Sequence, residues 1–351
     1  MSGGVDSSVA AALLRDAGHD VVGCTLKLWG GESDAGCCSA ADVEDARRVA
    51  QVLGIDHHVF NLAERFEADV VAPYVASHAR GETPNPCVEC NRSIKFGELL
   101  ARATRLGFDA VATGHHARVV HTRHALELRR GTDTAKDQSY VLGFLGAEQL
   151  SRLLLPVGEL TKSDVRARAL ALGLRTASKP DSQEVCFIPR AGRGAFLAER
   201  TGLTAGTVVD RATGSRLGSV PAVQLVTVGQ RRGIGPGAGG APRYVADVDV
   251  ATATVYVTVR EDLVVGRVEL AADSLRWSGV PRTLPADVLA QTSAHGAAVE
   301  AVLTAEGGLA AALVQPQRPV AAGQLAVFYD RADPDLVLGA ATAARRSLAA
   351  A

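Results

Sequence analysis

The sequence predicts an α/β protein: a parallel-sheet domain over residues 1–190, then two smaller mainly-β domains at 191–262 and 263–351, the last a β-barrel. Three observations predict it. Residues 1–190 alternate apolar β-prone runs with helix-period segments, the order that lays strands side by side in parallel. Beyond about residue 190 Gly, Pro, Val and Thr become frequent, and the apolar runs turn short and alternating. The chain has 351 residues, enough for two or three cores.

Taken in order, strands are expected at Val21–Leu28, His58–Asn61 and Asp109–Thr113, and helices at Ser7–Ala17, Ala40–Leu53, Glu64–His78 and Ser93–Leu106. Gly18, Gly54 and Gly107 each follow a periodic segment, as a C-terminal helix stop does. Ser39 with Asp42, and Thr161 with Asp164, have the spacing of a helix start. Further on, Tyr244–Val250, Thr254–Val259, Val299–Leu303 and Gln324–Tyr329 read as strands. Gly233–Pro242 reads as a flexible loop and the Ala-rich Ala340–Ala351 as a frayed tail.

Composition narrows the function classes. Hydrophobic residues make up 47% and charged residues 21%, as in a soluble globular protein. No apolar run approaches the ~20 residues that span a bilayer, and no basic-then-apolar leader opens the chain. The expected setting is the cytoplasm, with no membrane partner and a monomeric state. The six cysteines (Cys24, Cys37, Cys38, Cys87, Cys90, Cys186) then read as buried, metal-binding or catalytic thiols. A net charge of −1 requires that any nucleic-acid partner be met by a local positive surface. Arginine far outnumbers lysine, which occurs only as Lys27, Lys95, Lys136, Lys162 and Lys179, a bias ascribed to base composition.

Ser2-Gly3-Gly4-Val5-Asp6-Ser7-Ser8 runs directly into a helix. Adjacent glycines let backbone N–H groups turn toward an anion, and the helix start adds its own donors. The serines add hydroxyls, and Asp6 is expected to cap the helix or hold Mg²⁺. No Gly-Lys-Ser/Thr follows, so this is not a Walker A loop. It resembles the PP-loop of enzymes that split ATP into AMP and pyrophosphate. Such a loop follows a buried strand, whereas here Met1 precedes it directly; a start placed too far downstream would account for that.

Thr83-Pro84-Asn85-Pro86-Cys87-Val88-Glu89-Cys90-Asn91 is expected as a proline-braced loop entering the helix that carries Lys95. Cys90 would stand at the helix mouth, where Arg92 and Lys95 lower its pKa. Cys186 lies in Asp181-Ser182-Gln183-Glu184-Val185-Cys186-Phe187-Ile188-Pro189. The plain alternative for each thiol is a small core residue, and that reading is preferred for Cys24, Cys37 and Cys38. Cys87-x-x-Cys90 alone would suit redox chemistry or half a zinc site. No second pair completes a tetrahedral site, and three cysteines converging could instead hold an iron–sulfur cluster. His57 and His58 read as surface residues, His115 and His116 as better functional candidates. Arg231 and Arg232, beside glycines, could touch phosphate.

Together these motifs resemble the tRNA-specific 2-thiouridylases (the MnmA/TrmU family). The likeness spans nearly the whole chain: SGGVDSS, NPCVECNRSIKFG, ATGHHAR (112–118), KDQSYVL (136–142), PVGELTKSDVR (156–166), KPDSQEVCFIP (179–189), GQRRGIG (229–235), YVADVD (244–249) and GQLAVFY (323–329). It implies a PP-loop domain using ATP with Mg²⁺, tRNA as substrate and a sulfur-donor protein, either a persulfide relay or a cysteine desulfurase. By resemblance Ser2, Gly3, Gly4, Val5, Asp6, Ser7, Ser8, Leu26 and Gly114 bind ATP. Asn85, Pro86 and Cys87 line the target base with His115 nearby, while Lys136, Asp137, Gln138 and Gln324 contact tRNA. Cys186 carries a persulfide and Cys90 is its partner nucleophile. Some relatives have Asp where Cys87 stands, which keeps open a [4Fe–4S] cluster on Cys87, Cys90 and Cys186. The family's aromatic-basic tRNA-contacting segment has no clear counterpart around Gln291–His295. Two other readings remain: another PP-loop pyrophosphatase such as an amide-forming synthetase, which would need no cysteine pair, or a tRNA-binding protein without catalysis.

Overall fold

In a computed structural model the described residues are 1–29, 39–123, 125–181, 185–189, 191–234 and 242–345. The first helix, α1 (Val5–Asp16), buries Val5, Val9, Ala10, Ala11 and Ala12, small side chains that let it lie close to its neighbours. β1 (Gly23–Lys27) and β2 (His57–Asn61) pair in parallel, with α2 (Ala40–Leu53) as their crossover. The start expected at Ser39 is a full capping box with Asp42, and Gly54 closes α2 in the left-handed region at φ 67°. Thr161 and Asp164 form a second capping box at the head of the Lys162–Ala171 helix. α1, α2 and that helix share one apolar cluster of Val5, Val9, Val49, Leu53, Val165 and Ala169.

The helix expected at Glu64–His78 is present, and the one after it starts earlier than expected. The segment from Ala63 to Ala79 is helical throughout, with a π-helical turn at Glu67–Val71. The next helix begins at Pro86, not Ser93, and continues through a π-helical Cys90–Leu99 into Leu100–Arg105. Asn85 caps it by accepting from the Cys87 N–H at 3.0 Å, and Pro86 fits the first helical position because its missing N–H would have had no partner there. Cys90 therefore lies a turn inside the helix rather than at its mouth.

β3 (Val111–Ala112) pairs in parallel with β6 (Leu153–Leu154), and no described strand joins this pair to β1–β2. Between them the chain makes a hairpin, β4 (Ala117–His121) and β5 (Leu126–Arg130), that the parallel pattern did not foresee. The middle region holds a four-stranded sheet in the order β8 (Arg216–Val220), β7 (Gly206–Asp210), β10 (Thr254–Thr258), β9 (Tyr244–Asp249). The expected Gly/Pro loop falls partly outside the described residues, as do Cys37 and Cys38.

The C-terminal strands are β11 (Val265–Glu269), β12 (Arg276–Trp277), β13 (Ala286–Gln291), β14 (Val299–Thr304), β15 (Ala310–Gln317), β16 (Leu325–Asp330) and β17 (Leu336–Thr342). With β4 and β5 they form one antiparallel sheet, β5 joining through β17. The sheet thus crosses the division expected near residue 190. Along β16, Leu325, Val327 and Tyr329 face one cluster with Tyr140 and Leu142, while Ala326 and Phe328 face another with Val288 and Leu303. Both faces are buried, so the run is apolar throughout rather than alternating. The frayed-tail expectation is corrected for its first part, since Ala340 and Ala341 are buried within β17 and Ala343 bridges Leu270, while residues 346–351 lie outside the described residues. Small side chains are needed there, because a Cβ on Gly339 would lie 2.2 Å from the Arg276 carbonyl oxygen. Among the described residues no helix is long and apolar enough to cross a membrane.

Candidate active site

The loop at residues 2–8 is shaped by its own serines. The Ser2 N–H donates to Ser7 Oγ at 3.1 Å, and the Ser7 and Ser8 hydroxyls both donate to the Gly4 carbonyl, at 3.2 and 2.8 Å. Gly4 stands at the N-cap with no side-chain cap, which leaves the first N–H groups of α1 to an incoming anion. Two close approaches demand glycine. Gly3 has φ 68° and a Cβ there would sit 2.5 Å from the Asp42 carbonyl oxygen; at Gly114 it would sit 2.6 Å from the backbone of Asp6 and Ser7. Met1 fastens the loop to β1, its carbonyl accepting from Thr25 Oγ1 at 2.7 Å.

Asp6 does not cap α1. Its oxygens accept from Lys162 Nζ at 2.8 and 2.7 Å, and one also lies 3.2 Å from His116 Nε2. Burial would raise this carboxyl, but the bonds to His116 and Lys162 prevail and hold it below the usual range. Lys162 also reaches Asp181 Oδ1 at 2.9 Å. Asp181 further pairs with Lys136 at 2.8 Å and Arg166 at 2.9 Å. Burial opposes its ionisation, yet Lys136 and Lys162 draw it down to about 2. Lys179 holds Asp42 at 2.6 Å and Asp45 at 2.9 Å on α2.

Sequence reasoning missed Lys162, Asp181 and Arg166, although the signal was present. Of only five lysines, Lys136, Lys162 and Lys179 all end in ion pairs beside the loop, and Lys95 acts on His115. A chain that otherwise uses arginine keeps lysine where a compact ammonium meets carboxylates.

His115 and His116 leave β3 at the loop's edge. Burial, then Lys95 and His116, push the His115 imidazole well below its ordinary pKa, with Asp6 opposing; its Nδ1 lies 2.8 Å from Thr113 Oγ1. His116 is buried, and Gln138 grips its backbone on both sides: the His116 N–H donates to Gln138 Oε1 at 2.9 Å and the Gln138 N–H to the His116 carbonyl at 2.8 Å. Asp137 faces inward as well, accepting from Arg130 at 2.8 Å, from the Gly131 and Ser139 N–H groups at 3.0 Å and from Ser139 Oγ at 2.8 Å. Of the four residues expected on tRNA, three lie here: Asp137 organises the turn, Lys136 is paired to Asp181, and Gln138 is exposed while its amide holds His116. Arg130 continues outward, over the Tyr329 ring at 3.7 Å and onto Gln291 at 2.9 Å.

The thiol region is apolar. Cys90 is buried in a cluster with Leu28, Leu62, Phe66, Tyr74, Ile94 and Phe187, and Cys186 packs against the same cluster, as does Leu26 from β1. Each large side chain fully buried here contributes ~1.5–3 kcal/mol, so the cluster is held chiefly by packing. Arg92 is engaged elsewhere, 3.4 Å from Glu89 and 5.2 Å above the Phe144 ring. Cys87 is exposed, in contrast to Cys90. Among the described residues no group of three or more His, Cys, Asp or Glu could hold a metal ion. Burial raises the half-buried Cys24 thiol, in keeping with a packing role. His58 is exposed, as expected, but His57 is half-buried with Nε2 2.8 Å from Thr25 Oγ1. Arg231 and Arg232 are solvent-facing. Gln324 donates to the Thr83 carbonyl, tying the C-terminal sheet to the stretch that leads into Asn85 and Pro86.

The tRNA methyl transferase HUP domain family matches residues 1–190, the tRNA methyl transferase PRC-barrel domain family residues 194–259 and the aminomethyltransferase beta-barrel domain family residues 267–343. The tRNA-specific 2-thiouridylase MnmA of Mycolicibacterium smegmatis is 49% identical over 99% of this chain and 98% of its own length. That of Acidothermus cellulolyticus is 48% identical over 100% and 98%, and that of Mycobacterium tuberculosis 49% over 99% and 96%. Among solved structures, NMN synthetase from Francisella tularensis overlaps 52% of this chain and 64% of that one at 20% identity and a TM-score of 0.32, too slight a likeness to bear on function. A PP-loop edged by Gly114, two cysteines on one cluster and full-length identity near one half agree: the chain belongs to the tRNA-specific 2-thiouridylase family.

Proposed function

We propose that this chain is an ATP-dependent tRNA sulfurtransferase that converts the wobble uridine to 2-thiouridine. The observation that carries the reading is that Cys90 and Cys186, far apart in sequence, lie on one apolar cluster that Leu26 joins to β1, the strand to which the phosphate loop is fastened. The full-length relatives named 2-thiouridylases support the same substrate and product.

The chemistry follows from what a uridine lacks. Its C2 carbonyl has no leaving group. The oxygen therefore attacks the α-phosphorus of ATP, pyrophosphate departs, and AMP becomes the leaving group. The N–H groups of α1, the loop serines and Lys162 face the phosphates and balance their charge; Mg²⁺ enters as the nucleotide's own counterion. The target base leaves its stack to reach the site, near Asn85 and Pro86. Cys186 then supplies the outer sulfur of a persulfide, loaded by a relay protein or a cysteine desulfurase in the cytoplasm. Either that sulfur attacks C2, expels AMP and is freed when the Cys90 thiolate attacks Cys186 Sγ, or Cys90 attacks first and releases sulfide that displaces AMP. Both routes end in a Cys90–Cys186 disulfide, which an external thiol reduces.

Incubation with tRNA, ATP and a persulfide donor, followed by nucleoside mass spectrometry and pyrophosphate assay, tests this. The reading expects 2-thiouridine and pyrophosphate in equal amounts. Pyrophosphate release indifferent to tRNA, with no thiouridine, contradicts it.

A further inference from the structure

The chemistry proposed above gives Asp181 no step of its own. Its carboxylate collects three cations from two parts of the fold: Lys136 from the turn after β5, and Lys162 and Arg166 from the Lys162–Ala171 helix, at 2.8, 2.9 and 2.9 Å. Arg166 also donates to the Ala177 and Lys179 carbonyls, at 2.7 and 3.0 Å, and Lys179 is tied to α2. The stretch 177–181 is therefore clamped along its length to the two helices that flank the phosphate loop. Asp181 is the last residue of that clamp, and Cys186 stands only a short way further along the chain. Lys162 is shared between Asp181 and Asp6, so a single ammonium connects the loop to the root of the Cys186 stretch.

We propose that Asp181 is a positioning residue that sets Cys186 for sulfur transfer, coupling it through Lys162 to the phosphate loop, and that adenylation does not depend on it. The assignment rests on the functional reading above. Removing the Asp181 charge leaves Lys162 its two bonds to Asp6, so the loop keeps its cation. The root of the Cys186 stretch loses its charged anchor. A displacement of about an ångström at a reacting group costs roughly a hundredfold in rate, so the loss falls on the step that needs Cys186.

The test is Asp181→Asn, with Asp181→Glu as the conservative control. Two half-reactions are measured, tRNA-dependent pyrophosphate release and 2-thiouridine formation, together with the alkylation rate of Cys186 in pre-reduced protein by peptide mass spectrometry. Asp181→Asn is expected to cut thiolation at least about tenfold while pyrophosphate release stays within about threefold. Cys186 alkylation should change by about fivefold or more as the stretch loosens, and Asp181→Glu should recover most of both effects. Parallel loss of the two half-reactions, or an unchanged alkylation rate, overturns the proposal. Should Asp181→Asn fail to fold, Arg166→Lys weakens the same clamp and must give the same split. If the unaltered protein releases no pyrophosphate with tRNA, the functional reading fails, and the alkylation arm still decides whether Asp181 governs Cys186.

Discussion

The phosphate loop and the thiol cluster are built by opposite means. The loop is polar and local: its shape comes from Ser2, Gly3, Gly4, Ser7 and Ser8 bonding one another, with Lys162 and Gly114 brought in at its edge. The thiol cluster is apolar and assembled from distance. Leu28, Leu62, Phe66, Tyr74, Cys90, Ile94 and Phe187 come from segments well apart in the sequence and pack into one cluster. Adenylation needs charges held still around an anion, which backbone geometry supplies. Sulfur transfer needs two thiols sheltered from water and from stray oxidants, which packing supplies. The two halves of the reaction should therefore be separable by substitution.

The largest separation is expected from Cys186→Ser. Thiouridine formation should fall about a thousandfold or more, since a hydroxyl carries no persulfide, while tRNA-dependent pyrophosphate release stays within about threefold. Comparable losses in both assays would mean the regions are not independent. Gly114→Ala should break the other side. Its Cβ would lie 2.6 Å from the Asp6 and Ser7 backbone, and pyrophosphate release should fall about a hundredfold with Cys90 and Cys186 alkylation unaltered. A variant with normal adenylation would show that the loop tolerates displacement.

A smaller effect belongs to neither chemistry. His78 is buried beneath the thiol cluster, its ring 4.6 Å from that of Tyr74 and its Nδ1 3.3 Å from the Gln224 carbonyl of the middle region. Burial, then Arg193, lowers its pKa from 6.5 to about 4, against the Gln224 bond. Because the unfolded chain binds this proton first, its contribution is complete above pH 6.5 and is lost as pH falls from 6.5 to about 4. Urea unfolding across that window should show a shallower decline for His78→Gln than for the parent. Identical slopes would remove His78 from the account.

The same contrast decides what the sequence made legible. The phosphate loop was readable because its parts are neighbours, and so were the capping boxes at Ser39 and Thr161. The partners of Asp6 were not, since Lys162 lies on a distant helix and carries no local signature. The helix containing Cys90 was read as starting late because polar residues and two prolines looked like a loop, whereas Asn85 and Pro86 make a helix start. The hairpin β4–β5 was missed for a third reason: its partner strand β17 arrives more than two hundred residues later. Local periodicity has no means of announcing such a pairing. The alanines of β17 looked like a tail because small residues are as common in frayed ends as in a tightly stacked sheet.

The central claim is that Cys90 and Cys186 meet during turnover. Single-turnover thiolation by persulfide-loaded enzyme without reductant, quenched in acid and digested for mass spectrometry, tests it most directly. The account predicts one peptide pair joined through Cys90 and Cys186 for each thiouridine made. Thiouridine formed with no such pair, the two cysteines recovered separately, would contradict it.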